Sequence, residues 1–300
     1  MELKQALGNT WYFDDWQLIP LYRLDAHRCI LLDSGLYEQR AELEQGLKQA
    51  GLTPVGILGS HAHNDHSSNH HYFQQKYHIP VALSMGEAAV CCSIETLKSH
   101  FYMNSVPEFM ANERVRHMEV RADRVILPEE ERIDFCGAVF DIVRTPGHSV
   151  EHISIRTPDG VLYLADALLT GEELDNARFP YHFRFSTAIE TLERLKTEQA
   201  ALYLAAHKGV YADLGDLPER NIRLIQSRAD GILELADEPL SLSELSLSIC
   251  RKFHLRSRSK GATALYERNI RAYLEYLQET GRLDSIARDG IFYYCRHTSM

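Results

Sequence analysis

The sequence has no paired-cysteine signature. Its six cysteines, Cys29, Cys91, Cys92, Cys136, Cys250 and Cys295, include no CxxC spacing. That argues against a cysteine-built metal site, and the count is too low for a disulfide scaffold in a chain of 300 residues. A reducing cytoplasm is the expected location. No apolar run approaches the roughly 18 residues of a transmembrane helix, so no membrane span is expected. The opening segment, Met1 to Thr10, has neither an apolar h-region nor a cleavage pattern, so no signal peptide is expected. An excess of positive charge is also missing. The formal net charge is -10, which counts against a nucleic-acid polyanion as the main substrate. What the chain has in quantity is histidine, with 15 copies and a cluster between positions 61 and 78.

The chain order reads as mixed α/β. Thr10–Asp14, Ile19–Leu24 and Arg28–Asp33 are short and rich in aromatic, β-branched or other apolar residues, as strands are. Glu38–Ala50 has helical apolar spacing and stops at Gly51. Val55–Gly59 suits a buried strand and leads directly to His61. Helix is expected over 67–77, strand over 80–83, and helix with an irregular, aromatic-bearing stretch over 86–118; the part around 101–109 reads as packing, with a lid or substrate wall as the lesser reading. Further strands are expected at 124–127, 133–135, 139–143, 152–155, 161–165 and 201–206, with an amphipathic helix at 187–199. The character changes near residue 214. Helices over 219–236, 243–253 and 263–279, then a hairpin through Asp289-Gly290, make a small winged-helix-like module. The expected domains are therefore 1–213 and 214–300.

The run His61-Ala-His63-Asn-Asp65-His66 carries the chemistry. It follows a buried strand, the place where α/β folds put their sites. Imidazole and carboxylate are the ligands a borderline divalent metal prefers. Asp65 is expected near the N-cap of the next helix. The run can seed two sites but cannot complete them. His148, in Thr145-Pro-Gly-His148, Asp166 and His207 each close a predicted strand and supply what is lacking. A lone HxH would read as surface loop, and His70, His71, His78, His152 and His182 are read as packing or surface residues, with a supporting place beside His148 open to His152.

These motifs resemble those of the metallo-β-lactamase superfamily, in the right order over roughly residues 8–212. The resemblance implies an αββα sandwich with the metals at one edge between the sheets. It implies His61, His63 and His148 on one metal, Asp65, His66 and His207 on a second, and Asp166 bridging both. Two divalent metals, expected to be zinc with iron or manganese as alternatives, would be the cofactors. Leu31-Leu-Asp33-Ser-Gly35 is similar to that family's early strand-turn motif, whose buried Asp supports the metal-bearing loop. Ser149-Val-Glu151-His152 departs from the family pattern after TPGH and puts a charged residue beside a ligand. The C-terminal module resembles the one in some relatives of glyoxalase II.

Two such metals would share a water and lower its pKa toward neutrality, with Asp65 as the catalytic group that receives or relays its proton. The expected reaction is hydrolysis of an ester, thioester or lactone in a small molecule. Tyr102, Tyr181 and Arg184 lie in loops of the right region to touch it, although plain surface or packing is the favoured reading of each. The rival readings are a phosphodiesterase or nuclease of the same superfamily, a non-catalytic DNA-binding regulator, and an iron-dependent oxidoreductase such as a persulfide dioxygenase. The basic run Arg251–Lys260 reads as a solvated loop in an acidic chain. No membrane partner is expected, and a homodimer is left open as the assembly.

Overall fold

Alternating apolar strands set the frame of a computed structural model, which describes residues 1–101, 110–257 and 259–297. One sheet has seven strands in sequence order: β1 (Glu2–Leu7), β2 (Thr10–Asp14), β3 (Ile19–Arg23), β4 (Arg28–Leu32), β5 (Thr53–Leu58), β6 (Val81–Ser84) and β7 (Arg124–Ile126). The first four pair antiparallel, and β4 to β7 pair parallel. Parallel strands need crossovers, and helices supply them. α1 (Arg40–Gln49) links β4 to β5, and α2 (Asn64–Ser67) with α3 (His70–Tyr77) links β5 to β6. α4 (Met85–Cys91), α5 (Ile94–Phe101) and α6 (Glu113–Arg116) precede β7.

The second sheet has six strands in the order β13-β12-β11-β10-β9-β8. They are β8 (Arg132–Phe135), β9 (Ala138–Arg144), β10 (Ile153–Arg156), β11 (Val161–Ala165), β12 (Leu202–Ala205) and β13 (Gly209–Tyr211). β9 and β11 are each antiparallel to β10, and β11 is parallel to β12. Hence β9, β11 and β12 run the same way, and their carboxyl ends share one edge.

Three apolar clusters define the layers. Ile30, Leu32 and Leu58 of the first sheet meet Phe140, Ile153 and Tyr163 of the second between the sheets. Leu43 and Leu47 of α1 and Phe73 of α3 cover the outer face of the first sheet. The outer face of the second meets α8 (Phe185–Leu195), which α7 (Gly171–Asn176) precedes in the chain. That same cluster extends into α9 (Leu217–Leu233), α10 (Leu242–Lys252) and α11 (Lys260–Glu279), where Phe185 stacks on Tyr273 at 3.8 Å. The result is the expected helix-sheet-sheet-helix sandwich followed by a helical C-terminal region. A three-stranded sheet, β14 (Leu240–Ser241), β16 (Ile291–Arg296) and β15 (Leu283–Arg288), closes that region. The C-terminal helices and the sandwich thus share a continuous core.

Element bounds differ from the sequence expectation in a few places. β1, Glu2-Leu-Lys-Gln-Ala-Leu7, mixes polar and apolar residues without strict alternation on a half-exposed edge, so its pattern is faint. β13 has three residues and lies at an edge of the second sheet. Asp65 falls near the N-cap of α2 as expected, in its first turn, and His63 with its extended backbone is the N-cap itself. The 101–109 stretch beyond Phe101, and with it Tyr102, lies outside the described residues. Among the described residues no helix is long and apolar enough to cross a membrane.

Candidate metal centre

Each candidate ligand leaves a strand end at one edge of the sandwich. His61 and His63 follow β5, and Asp65 and His66 lie in the first turn of α2. His148 follows β9, Asp166 follows β11 directly, and His207 follows β12. The backbone is shaped for this. Ala165, just before Asp166, has φ 48° and Asp33 has φ 68°, left-handed positions that cost energy for residues with a Cβ and persist where surrounding structure over-determines them. Gly147 has φ 128°, and a Cβ there would meet the backbone of Ala188 at 2.4 Å. The glycine of TPGH is therefore required so that the His148 loop can lie against α8.

Two sets of donor atoms result. In the first, His61 Nε2 is 3.0 Å from His63 Nδ1, which is 2.9 Å from His148 Nε2, and Asp166 Oδ2 is 3.3 Å from His148 Nε2 and 4.0 Å from His61 Nε2. In the second, His66 Nε2 is 3.6 Å from Asp65 Oδ2 and 3.3 Å from Asp166 Oδ1. His207 Nε2 is 3.4 Å from Asp65 Oδ2 and 3.5 Å from Asp166 Oδ1. Asp166 gives one oxygen to each set. All seven sequence-predicted ligands are thus brought together, and within each set the ligand atoms lie within 4.8 Å of one another.

The charges of the two sets differ. Burial, reinforced by neighbouring imidazoles, holds His61 and His63 well below the usual histidine range. Burial also lowers His148. Burial thus favours the neutral imidazole, with a lone pair to give, at all three histidines of the first set. Burial opposes charge on His66 as well, but the carboxylates of Asp166, Asp65 and Asp33 outweigh it and raise His66 well above its ordinary value. For His207, burial is likewise overcome by Asp166 and Asp65, and its pKa rises to about 10. The second set is therefore a place where positive charge is strongly favoured.

This donor set fits divalent metal. Bonds of about 2.0–2.1 Å in a tetrahedral site put ligand atoms roughly 3.3–3.4 Å apart, close to the separations above. Asp166 Oδ1 is buried without a hydrogen-bond donor, and a cation satisfies such an atom.

Supporting residues orient the ligands. Asp33 accepts hydrogen bonds from Ser60 N–H at 2.7 Å, Ser60 Oγ at 2.6 Å and Tyr163 Oη at 2.8 Å, and meets His66 Nδ1 at 2.8 Å. Its carboxylate is the second-nitrogen partner that fixes His66's ring. His152 is buried, bonds Thr145 Oγ1 at 2.8 Å through Nδ1, and accepts Asp166 N–H at 3.3 Å on Nε2. It has the supporting place left open to it, with its ring 6.0 Å from that of His148 and its bond to Asp166. His70 bonds Ser34 Oγ at 2.7 Å and His182 packs 6.0 Å from the His148 ring.

The walls are aromatic. Tyr181 lies 5.6 Å from the His63 ring and 5.7 Å from that of His148, and Phe101 lies 6.1 Å from His63. Trp16 stacks on His207 at 5.1 Å. Arg268 of α11 reaches the same wall, over Phe101, Tyr181 and Phe183 and 2.9 Å from His100 Nε2. Arg184 does not join it: it is exposed and paired with Glu279. Trp16, Tyr163, Arg268 and the buried Glu87 were not legible as site residues. Glu87 carried one signal, an acidic residue inside the apolar run Glu87-Ala-Ala-Val-Cys-Cys.

Comparison with known proteins agrees with this arrangement. A model of the metallo-beta-lactamase superfamily matches residues 21–207. A probable metallo-hydrolase of Bacillus subtilis (strain 168), YqgX, is 31% identical over 173 residues, covering 53% of this chain and 71% of that protein. Among solved structures, a metallo-β-lactamase family protein from Thermus thermophilus has a TM-score of 0.69 at 22% identity, covering 94% of each chain. A β-lactamase domain protein from Burkholderia ambifaria has a TM-score of 0.70 at 18% identity, covering 99% of this chain and 94% of that one. These two structures bear on the fold alone.

Proposed function

The chain belongs to the metallo-β-lactamase superfamily, and from that premise we propose a dinuclear metal-dependent hydrolase acting on an ester, thioester or lactone of a small molecule. The observation that carries the two-metal reading is the division of the ligands into two sets that share Asp166. His61, His63 and His148 would hold one metal, Asp65, His66 and His207 the other, with Asp166 between them. Bound there, zinc or another divalent ion supplies Lewis acidity and a water acidified toward neutral pH.

The chain's own groups do the rest. The Asp65 carboxylate is the proton acceptor: it sits 3.4 Å from His207 Nε2 and its side chain stays 18% exposed. Asp33 fixes His66's ring by its bond to Nδ1, leaving Nε2 as the ligand nitrogen. The rings of Trp16, Phe101 and Tyr181 offer an apolar bed for an acyl group. A carbonyl substrate suits these walls better than a polyanion does, given the net charge of -10. The test is metal analysis of the purified protein followed by an ester, thioester and lactone panel, with a generic phosphodiester alongside. Two zinc equivalents and turnover of the carbonyl panel are expected. Turnover confined to the phosphodiester would overturn the substrate class, and a single bound iron would overturn the dinuclear reading.

A further inference from the structure

Glu87 of α4 is 1% exposed. Its Oε2 accepts the N–H of Ala62 at 2.8 Å. Its Oε1 accepts Ser149 Oγ at 2.6 Å and the N–H of Glu151 at 2.8 Å. Ala62 stands between His61 and His63, and Ser149 follows His148. The contact is reciprocal: the Glu151 carboxylate accepts the N–H of Gly86, and Ser84 Oγ donates to the Glu151 carbonyl at 2.7 Å. Gly86 is packed close there, since a Cβ on it would meet Glu151 Cβ at 2.8 Å. The charged departure after TPGH thus has a structural purpose: it locks its loop onto the start of α4.

Two ligand-bearing segments from different sheets therefore meet on one carboxylate. The second set is oriented differently, through Asp33 on His66. We infer that Glu87 is a positioning residue that sets the spacing between the His61/His63 segment and His148, and so the metal affinity of the first set without acting on the second. This rests on the two-set reading above. Ligand atoms must be held to within about 0.2 Å for tight binding, and donors placed beside each ligand in sequence can do that. Glutamine is the informative replacement. It keeps the shape but has one acceptor oxygen, so its amide faces N–H of Ala62 or of Glu151, and one of the two segments is released.

The test is a Co²⁺ titration of the metal-stripped full chain, followed by ligand-field absorption, with zinc competition against a chromophoric chelator. Wild type should bind in two steps, and His207→Ala should remove one of them, identifying the second set. Glu87→Gln should weaken the other step about 10- to 100-fold and leave the His207-sensitive step within about threefold. Ser149→Ala, which removes one donor and spares the carboxylate, should move the same step in the same direction by less. Circular dichroism of the stripped variants checks the fold. Both steps weakened alike, or neither, would overturn the inference, and if Glu87→Gln does not fold the Ser149→Ala titration decides by the same criterion. A wild type that binds no Co²⁺ tightly would instead sink the two-set reading itself.

Discussion

Asp33→Asn isolates the support of the second set. The position has φ 68°, which Asn tolerates as well as Asp does, so the change removes charge without adding backbone strain. The carboxylate is bonded to Ser60 N–H, Ser60 Oγ and Tyr163 Oη, and holds His66 Nδ1 at 2.8 Å. The oxygen of the introduced amide can keep the Ser60 N–H, and one of the two hydroxyls can rotate to accept from its nitrogen, whose second hydrogen then faces His66. His66 has no such freedom. To pair with an N–H it must turn Nδ1 into an acceptor and move its proton to Nε2, the atom facing Asp166 Oδ1 at 3.3 Å and Asp65 Oδ2 at 3.6 Å. That protonated nitrogen cannot bind metal. The preference is worth about one hydrogen bond, roughly 1–1.5 kcal/mol or about tenfold, and the ring's lost orientation extends the expected fall to about 10- to 100-fold. Zinc competition on the stripped protein measures it. The second equivalent should weaken by that factor while the first is retained. Unchanged affinity for both equivalents would refute the tautomer argument, and equal loss of both would show that Asp33 acts on the fold and not on His66.

Other outcomes are expected. Asp166→Ala should lose both metals and lower hydrolysis by at least about 1000-fold, the loss of several kcal/mol of charge stabilisation; full metal content and activity in this variant would disprove the shared ligand. Dialysis against a strong chelator should lower thermal stability, and zinc restored to 100 times its Kd should return about 2.7 kcal/mol per occupied site, read as a melting shift absent in Asp166→Ala. Tyr273→Ala removes the ring stacked on Phe185 at 3.8 Å. It should cost about 3–5 kcal/mol in a denaturant melt while leaving metal content unchanged, and a loss below about 1 kcal/mol would mean that the C-terminal helices do not share the sandwich core.

The site was far more legible in the sequence than its surroundings were. Ligand residues announce themselves because imidazole and carboxylate at the ends of apolar runs are rare and chemically specific: β5, β9, β11 and β12 each read as apolar segments delivering one of them. The sandwich followed from the same runs. Supporting residues carry no such mark. Tyr163 sits inside a strand as any core aromatic does, and only the approach of the two sheets brings its hydroxyl to Asp33, 130 positions away. Glu87 contacts Ala62, Ser149 and Glu151 through backbone and loop geometry that no spacing predicts. Arg268 reaches Phe101 and Tyr181 only because α11 packs across the edge.

The shared core also orders events in time. Synthesis proceeds from the N-terminus, so every candidate ligand has been translated once His207 is made. The outer face of the second sheet, with Leu162, Leu164 and Phe185, still waits for Ile222, Ile225 and Tyr273. His207 and Tyr273 are 66 positions apart, which at about 5–20 residues per second is an interval of roughly 3–13 s. During it, the nascent chain holds every candidate metal donor while Leu162, Leu164 and Phe185 still lack their C-terminal partners. A ribosome paused after residue 207 would leave that cluster half-built, and the helical tail is the step that completes it.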